Sequence, residues 1–155
     1  MKKIKEFRSS GMPLLEVIIA IGMFSVISVF ILQLFLSADT MEAKARDISK
    51  AVILAENAAE AVRGSASFED AAVRIGLRKE READAWYAAY YDSDWNPAEE
   101  KAAYCLAVVP SMTAEAAGTT TYVDIYVYRL KGYLFDGGAQ RELYHLAAVR
   151  YEPGR

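Results

Sequence analysis

The chain has 155 residues, 54% of them hydrophobic, and sets 18 basic against 21 acidic side chains for a formal net charge of −3. That balance lends nothing to nucleic-acid binding through phosphates. A single Cys and a single His exclude an intramolecular disulfide and a Cys/His zinc site.

Residues 1–11 read MKKIKEFRSSG, where Lys2, Lys3, Lys5 and Arg8 against Glu6 leave a side-chain charge of +3. From Leu14 to Leu36 run 23 residues whose only charge is Glu16 and whose only other strongly polar side chain is Gln33. As a helix this stretch covers roughly 34 Å, enough for a bilayer core of about 30 Å. Basic residues precede the span and Asp39 and Glu42 follow it, which predicts a cytoplasmic N-terminus and an extracytoplasmic remainder. The apolar run is too long for a secretory signal peptide, and bulky Phe35 and Leu36 stand just before Ser37 and Ala38 where a small-x-small cleavage site belongs. A plain uncleaved anchor accounts for the span. It does not account for the junction Gly11-Met12-Pro13-Leu14-Leu15-Glu16-Val17, which sets a carboxylate in the first turn of a membrane helix.

That junction resembles the type IV pilin and pseudopilin signal: a short basic leader, Gly, a hydrophobic residue, a small residue, Leu, Leu or Ile, Glu, Val. Met12 and Pro13 stand where the commonest pattern has Phe and then Thr or Ser. Pro13 is compatible with a helix start, because first-turn amides have no intrahelical acceptor. The resemblance implies that a membrane prepilin peptidase cuts after Gly11 and methylates the new N-terminus at Met12, with the hydrophobic helix retained. It further implies that Glu16 serves assembly by neutralising the N-terminal ammonium of a neighbouring subunit. In lipid such a pair is strong and an unpaired partner is costly. Without residues 1–11 the chain would carry 14 basic and 20 acidic residues, a side-chain charge of −6, so no nucleic-acid partner is expected.

No Pro or Gly lies between Gly22 and Gly64. Apolar or small residues recur at Ala38, Met41, Ala45, Ile48, Val52, Ala55, Ala59 and Val62, the spacing of one helical stripe, with Glu42, Lys44, Arg46, Asp47, Lys50, Glu56 and Glu60 on the other faces. One helix from Pro13 to Arg63 is therefore predicted, its outer half packed on the chain's own sheet; alanine-rich stripe positions disfavour a free-standing coiled coil. Gly22, Ser25 and Ser28 form a track of small residues permitting close helix contact.

Beyond Gly64 the pattern predicts a short helix over Ser67–Ile75 with Ser67 as its cap, and a charged, solvated connection over Leu77–Asp84. Strands are predicted at Trp86–Tyr91, Ala102–Val109, Thr120–Leu130 and Glu142–Tyr151, separated at Asn96-Pro97, Ala117-Gly118 and Asp136-Gly137-Gly138. Val123, Ile125 and Val127 alternate with Tyr122, Asp124, Tyr126 and Tyr128, an aliphatic face for the helix. All ten Tyr residues fall between Tyr87 and Tyr151, as β-propensity favours and as a contact surface between subunits would also require. The expected fold is α+β: a long N-terminal helix on a small antiparallel sheet of about four strands, pilin-like. The divisions are leader 1–11, membrane and assembly helix 12–36, amphipathic extension 37–63 and extracytoplasmic domain 64–155.

Cys105 reads as a small hydrophobe in a strand, and His145 as a structural residue with no partner visible in sequence. No Gly-x-Ser-x-Gly, P-loop or His-Glu-x-x-His motif is present, so neither enzyme activity nor a cofactor is expected. Asp92, Asp94 and Asn96 match the opening ligands of a calcium loop, yet Pro97 stands where Gly is needed and Ala103 where Glu is needed. A polar hairpin turn is the favoured reading there; a looser calcium site is the other, since some pseudopilins hold calcium through loop carboxylates. Together these features predict a minor pilin or pseudopilin of a type IV pilus, competence or type II secretion filament. Its expected partners are prepilin peptidase, other pilin or pseudopilin subunits, the inner-membrane assembly platform and the membrane. An uncleaved single-pass anchored domain with a ligand-binding sheet is the alternative.

Overall fold

A computed structural model of the chain describes residues 12–80, 86–115, 118–133 and 140–153. The leader with Gly11 and the Asp136-Gly137-Gly138 turn lie outside the described residues. The chain forms two units, one up to Glu42 and one from Ala43 to Arg155. Helix α1, Met12–Gly64, has 53 residues and ends with Arg63 in its last turn.

Among the described residues of the first unit, α1 buries no apolar core. Every large apolar side chain from Leu14 to Leu36 is at least 41% exposed, and none of its most apolar stretch is buried. An apolar helix left bare is a candidate membrane span, since lipid solvates such side chains and the backbone bonds close within the helix.

The second unit is an α+β arrangement. After α1 come α2 (Phe68–Arg74), β1 (Arg78–Lys79), β2 (Tyr87–Tyr91), β3 (Tyr104–Glu115), β4 (Gly118–Arg129) and β5 (Arg141–Pro153). The strands pair antiparallel in the order β1-β2-β3-β4-β5, a meander. Ser67 caps α2 by accepting from the Asp70 amide at 3.1 Å, as its side chain predicts. Gly76, at φ +71, ends that helix: its amide reaches Val73 O and the Leu77 amide reaches Ala72 O. A left-handed residue after a helix is cheapest as glycine.

The core joins Ala51, Ala55, Ala58 and Val62 of α1 and Phe68 and Ala71 of α2 to Leu106 and Val108 on β3, and to Val123, Ile125 and Val127 on β4. Alanines on the helix let its backbone come close to the branched side chains of the sheet. The alternation in β4 is as the sequence predicts, with Val123, Ile125 and Val127 at most 1% exposed.

Three expectations need correction. The sheet has five strands rather than four, because Arg78 and Lys79, read as a solvated connection, pair with Ala88 and Tyr87. Both side chains are exposed, and Arg78 pairs with Glu99, so the strand carries no apolar alternation that a sequence pattern could show. Strand β3 runs on through Pro110 to Glu115. Its pairing with β2 ends at Val108, so Pro110 falls where the strand has a neighbour on one side only, the setting in which a strand tolerates proline. The helical stripe, finally, is out of register in its first half. Met41, Ala45 and Ile48 are exposed, whereas Asp47 and Ala51 are buried.

Candidate functional site

Glu16 is the fifth residue of α1, one helical turn after Met12 and just beyond the first turn, which holds no acid. The expectation of a first-turn carboxylate is corrected by that one position. Four residues advance a helix by about 6 Å and return to nearly the same face, so Glu16 follows Met12 along one side of the helix. Its side chain is exposed, amid Leu14, Leu15, Val17 and Ile18, each at least 56% exposed. The side chain of Met12 and all of Gly11 lie outside what the structure describes.

Further along, the Ser25 and Ser28 hydroxyls donate to the carbonyls of Ile21 and Phe24, each at 2.8 Å. Such bonds back to the preceding turn let a hydroxyl sit in lipid without a partner helix. A Cβ added at Gly22 would meet nothing within 4 Å, so no contact among the described residues calls for glycine there.

In the second unit a buried polar cluster centres on Asp47, which the sequence pattern did not mark. Asp47, placed by its spacing on the charged face, is 5% exposed. Its Oδ1 accepts from the Tyr104 hydroxyl at 2.8 Å and its Oδ2 from the Tyr133 hydroxyl at 2.7 Å. The Arg129 guanidinium pairs with the same carboxylate, lies 4.0 Å from the Tyr133 ring centroid, and donates through Nε to the Lys131 carbonyl. Tyr104 also stacks on Trp95, with ring centroids 3.9 Å apart. Burial, then the bond to Asp47, pushes the Tyr104 hydroxyl well above its ordinary range and that of Tyr133 up to about 12. A neutral hydroxyl keeps donating to the carboxylate. One signal pointed here: the series Ala51, Ala55, Ala58, Val62, carried back one turn, lands on Asp47.

Asp92 Oδ1 accepts from the amides of Asp94 at 2.8 Å and Asn96 at 3.0 Å, and these bonds, the Asn96 amide first, hold its carboxyl below the usual range. The segment is thus a carboxylate-capped turn, in which Trp95 takes φ 66. Among the described residues no group of three or more His, Cys, Asp and Glu is placed to hold a metal ion. Cys105 is 5% exposed, and burial, with a smaller effect of the Glu80 charge, pushes its thiol up to about 11. His145 has a partner after all: its Nε2 lies 3.0 Å from Asp124 Oδ1, and its ring stacks on Tyr126 at 4.4 Å.

Compared with known proteins, the chain matches no family model, no curated protein and no solved structure.

Proposed function

We propose that this protein is a structural subunit, a minor pilin or pseudopilin, of a type IV pilus, competence or type II secretion filament. The carrying observation is that α1 leaves its apolar side chains bare from Leu14 to Leu36 around one carboxylate, Glu16, a turn beyond Met12. Lipid covers such a surface in the membrane, and neighbouring copies of the same helix cover it in a filament.

In this reading the basic leader stays in the cytoplasm, prepilin peptidase cuts between Gly11 and Met12, and the new ammonium begins the helix. A desolvated ammonium and a desolvated carboxylate are each costly, and pairing offsets much of that cost. The Glu16 carboxylate then selects subunits set at the correct axial stagger, because only those bring a neighbour's N-terminus alongside it. The second unit is carried out of the membrane on the same helix.

Replacing Glu16 with Ala in cells that assemble filaments tests the reading. The variant should still be cleaved by the peptidase and reach the membrane, yet be absent from sheared filaments. A variant recovered in filaments at parental abundance overturns the role given to Glu16. A chain that neither is cleaved nor enters filaments while its second unit is displayed normally is an anchored domain instead.

A further inference from the structure

We propose that the outer edge of β5 is a strand-addition site, where an extended segment of a different protein chain pairs through backbone hydrogen bonds. In an antiparallel sheet, alternate residues of a strand direct their backbone groups to opposite neighbours. The Leu130 amide donates to the Ala103 carbonyl at 2.8 Å, and the register carries that phase across the sheet. Odd-numbered residues of β3 therefore bond to β4, and odd-numbered residues of β4 bond to β5. Past the irregularity opposite Val127 and Tyr128, it is the even-numbered residues of β5 that answer β4. His145, Ala147 and Val149 are left with amides and carbonyls directed off the sheet. Among the described residues no strand lies beyond β5, and these three have no backbone partner on that side.

The other exposed edges are closed. Strand β1 is two residues long and charged. On β3 the even-numbered residues face β2, whose pairing stops at Val108. The next residue due to present an amide to open space is Pro110, which has none. Short strands, charges and proline are the devices that keep a sheet edge from pairing with another chain. From His145 to Val149, β5 has none of them: no Lys, Arg, Asp, Glu or Pro stands there, and the three outward residues are exposed.

The hydrogen-bonding pattern selects the ligand. Amides and carbonyls alternating along about 14 Å of edge are matched by another extended backbone, which offers acceptors and donors at the same repeat. A second copy of this chain is a poor occupant. Its β1 and β3 edges are closed, and two β5 edges close symmetrically only by antiparallel pairing about an axis normal to the sheet. That axis turns the outer half of α1, packed on the sheet, end for end, so the paired chains could not enter one bilayer from the same side. The occupant is therefore a strand of another protein. It is uncharged beside His145–Val149, where the edge offers no counter-charge, and β-branched opposite Ala147 and Val149, whose side chains share its face. Excluding a second copy rests on the membrane reading of α1; the open edge does not.

Calorimetric titration of the full chain in detergent micelles with the peptide Thr-Val-Thr-Val-Thr-Val-Thr, N-methylated at its threonines, tests the site. That methylation leaves the peptide one edge able to pair, and the same peptide methylated at every residue is the control. Saturable one-site binding is expected for the first peptide alone. Val149→Pro removes an outward amide and no bond to β4, so it should weaken binding at least about tenfold, whereas Val149→Ala should stay within about twofold of the parent. Near-ultraviolet circular dichroism checks that each variant keeps its fold. If Val149→Pro does not, amide hydrogen exchange of the parent carries the test: the peptide should slow exchange at Ala147 and Val149 and leave Leu146 and Ala148 unchanged. The absence of saturable heat into the millimolar range overturns the proposal, as does parental affinity in a folded Val149→Pro chain. A chain that dimerises without peptide and loses the dimer in Val149→Pro overturns it in favour of a second copy.

Discussion

Replacing Asp47 with Ala should be among the most damaging single changes to the second unit. The carboxylate is 5% exposed and takes hydrogen bonds from Tyr104 and Tyr133 and a charge pair from Arg129. Removing it leaves two buried hydroxyls without their acceptor, at about 1–3 kcal/mol each. Arg129 keeps the Lys131 carbonyl, and its side chain is 21% exposed, so water offsets part of its loss. The sum falls at about 3–5 kcal/mol, in line with removal of one partner from a buried ion pair. For a unit of this size that lowers the melting temperature by about 12–20 °C. Asp47→Asn, which keeps the shape and one acceptor, should cost about half as much. The double variant Asp47→Leu/Arg129→Met should cost less than its two single changes together, because no charge is left unpaired. Thermal melts followed by near-ultraviolet circular dichroism read the tertiary packing of these tyrosines. A melt of Asp47→Ala within about 3 °C of the parent would refute the reasoning.

Other outcomes follow from the same geometry. Tyr104 and Tyr133 are raised in the fold above the ordinary tyrosine value of 10.0, so their neutral forms favour folding. Their contribution is complete below pH 10 and is lost as pH rises toward about 12; melts across that window should show the loss begin above pH 10. Cys105, with its thiol raised to about 11, should resist a disulfide exchange reagent at pH 8 in the native chain and react at once in guanidinium, and prompt native labelling would contradict its burial. Millimolar calcium should leave the melting temperature unchanged, since backbone amides already occupy Asp92 Oδ1; a rise of several degrees would establish the looser calcium site. Gly22→Ala should preserve the membrane helix, because a Cβ there meets nothing and alanine favours helix by about 1 kcal/mol. Loss of filament incorporation in that variant alone would mark Gly22 as a contact between subunits.

Periodic features could be read directly from the sequence. The outer faces of β4, the cap of α2 and the apolar stretch of α1 each repeat a local rule, and local rules survive without knowledge of the fold. Asp47 did not yield to that reading because its partners lie 57, 82 and 86 residues along the chain. A helical wheel sees only an acid among Lys44, Arg46 and Lys50, and the stripe drawn through Met41, Ala45 and Ile48 obeyed the spacing on the wrong face. Strand β1 escaped for another reason, being two exposed charged residues with no apolar alternation to mark a strand. His145 and Asp124 sit on adjacent strands, and only the register of β4 with β5 brings them together. Gly11 and Glu16 stood out as a motif, and a motif carries chemistry that the fold of one subunit does not display.

The most direct test of the filament-subunit account is the intact mass and N-terminal sequence of the membrane-extracted protein, produced with and without a co-expressed prepilin peptidase. The account predicts peptidase-dependent loss of residues 1–11, with Met12 first and carrying a methyl group. A chain that still begins at Met1 beside an active peptidase would contradict it and leave an ordinary anchored domain.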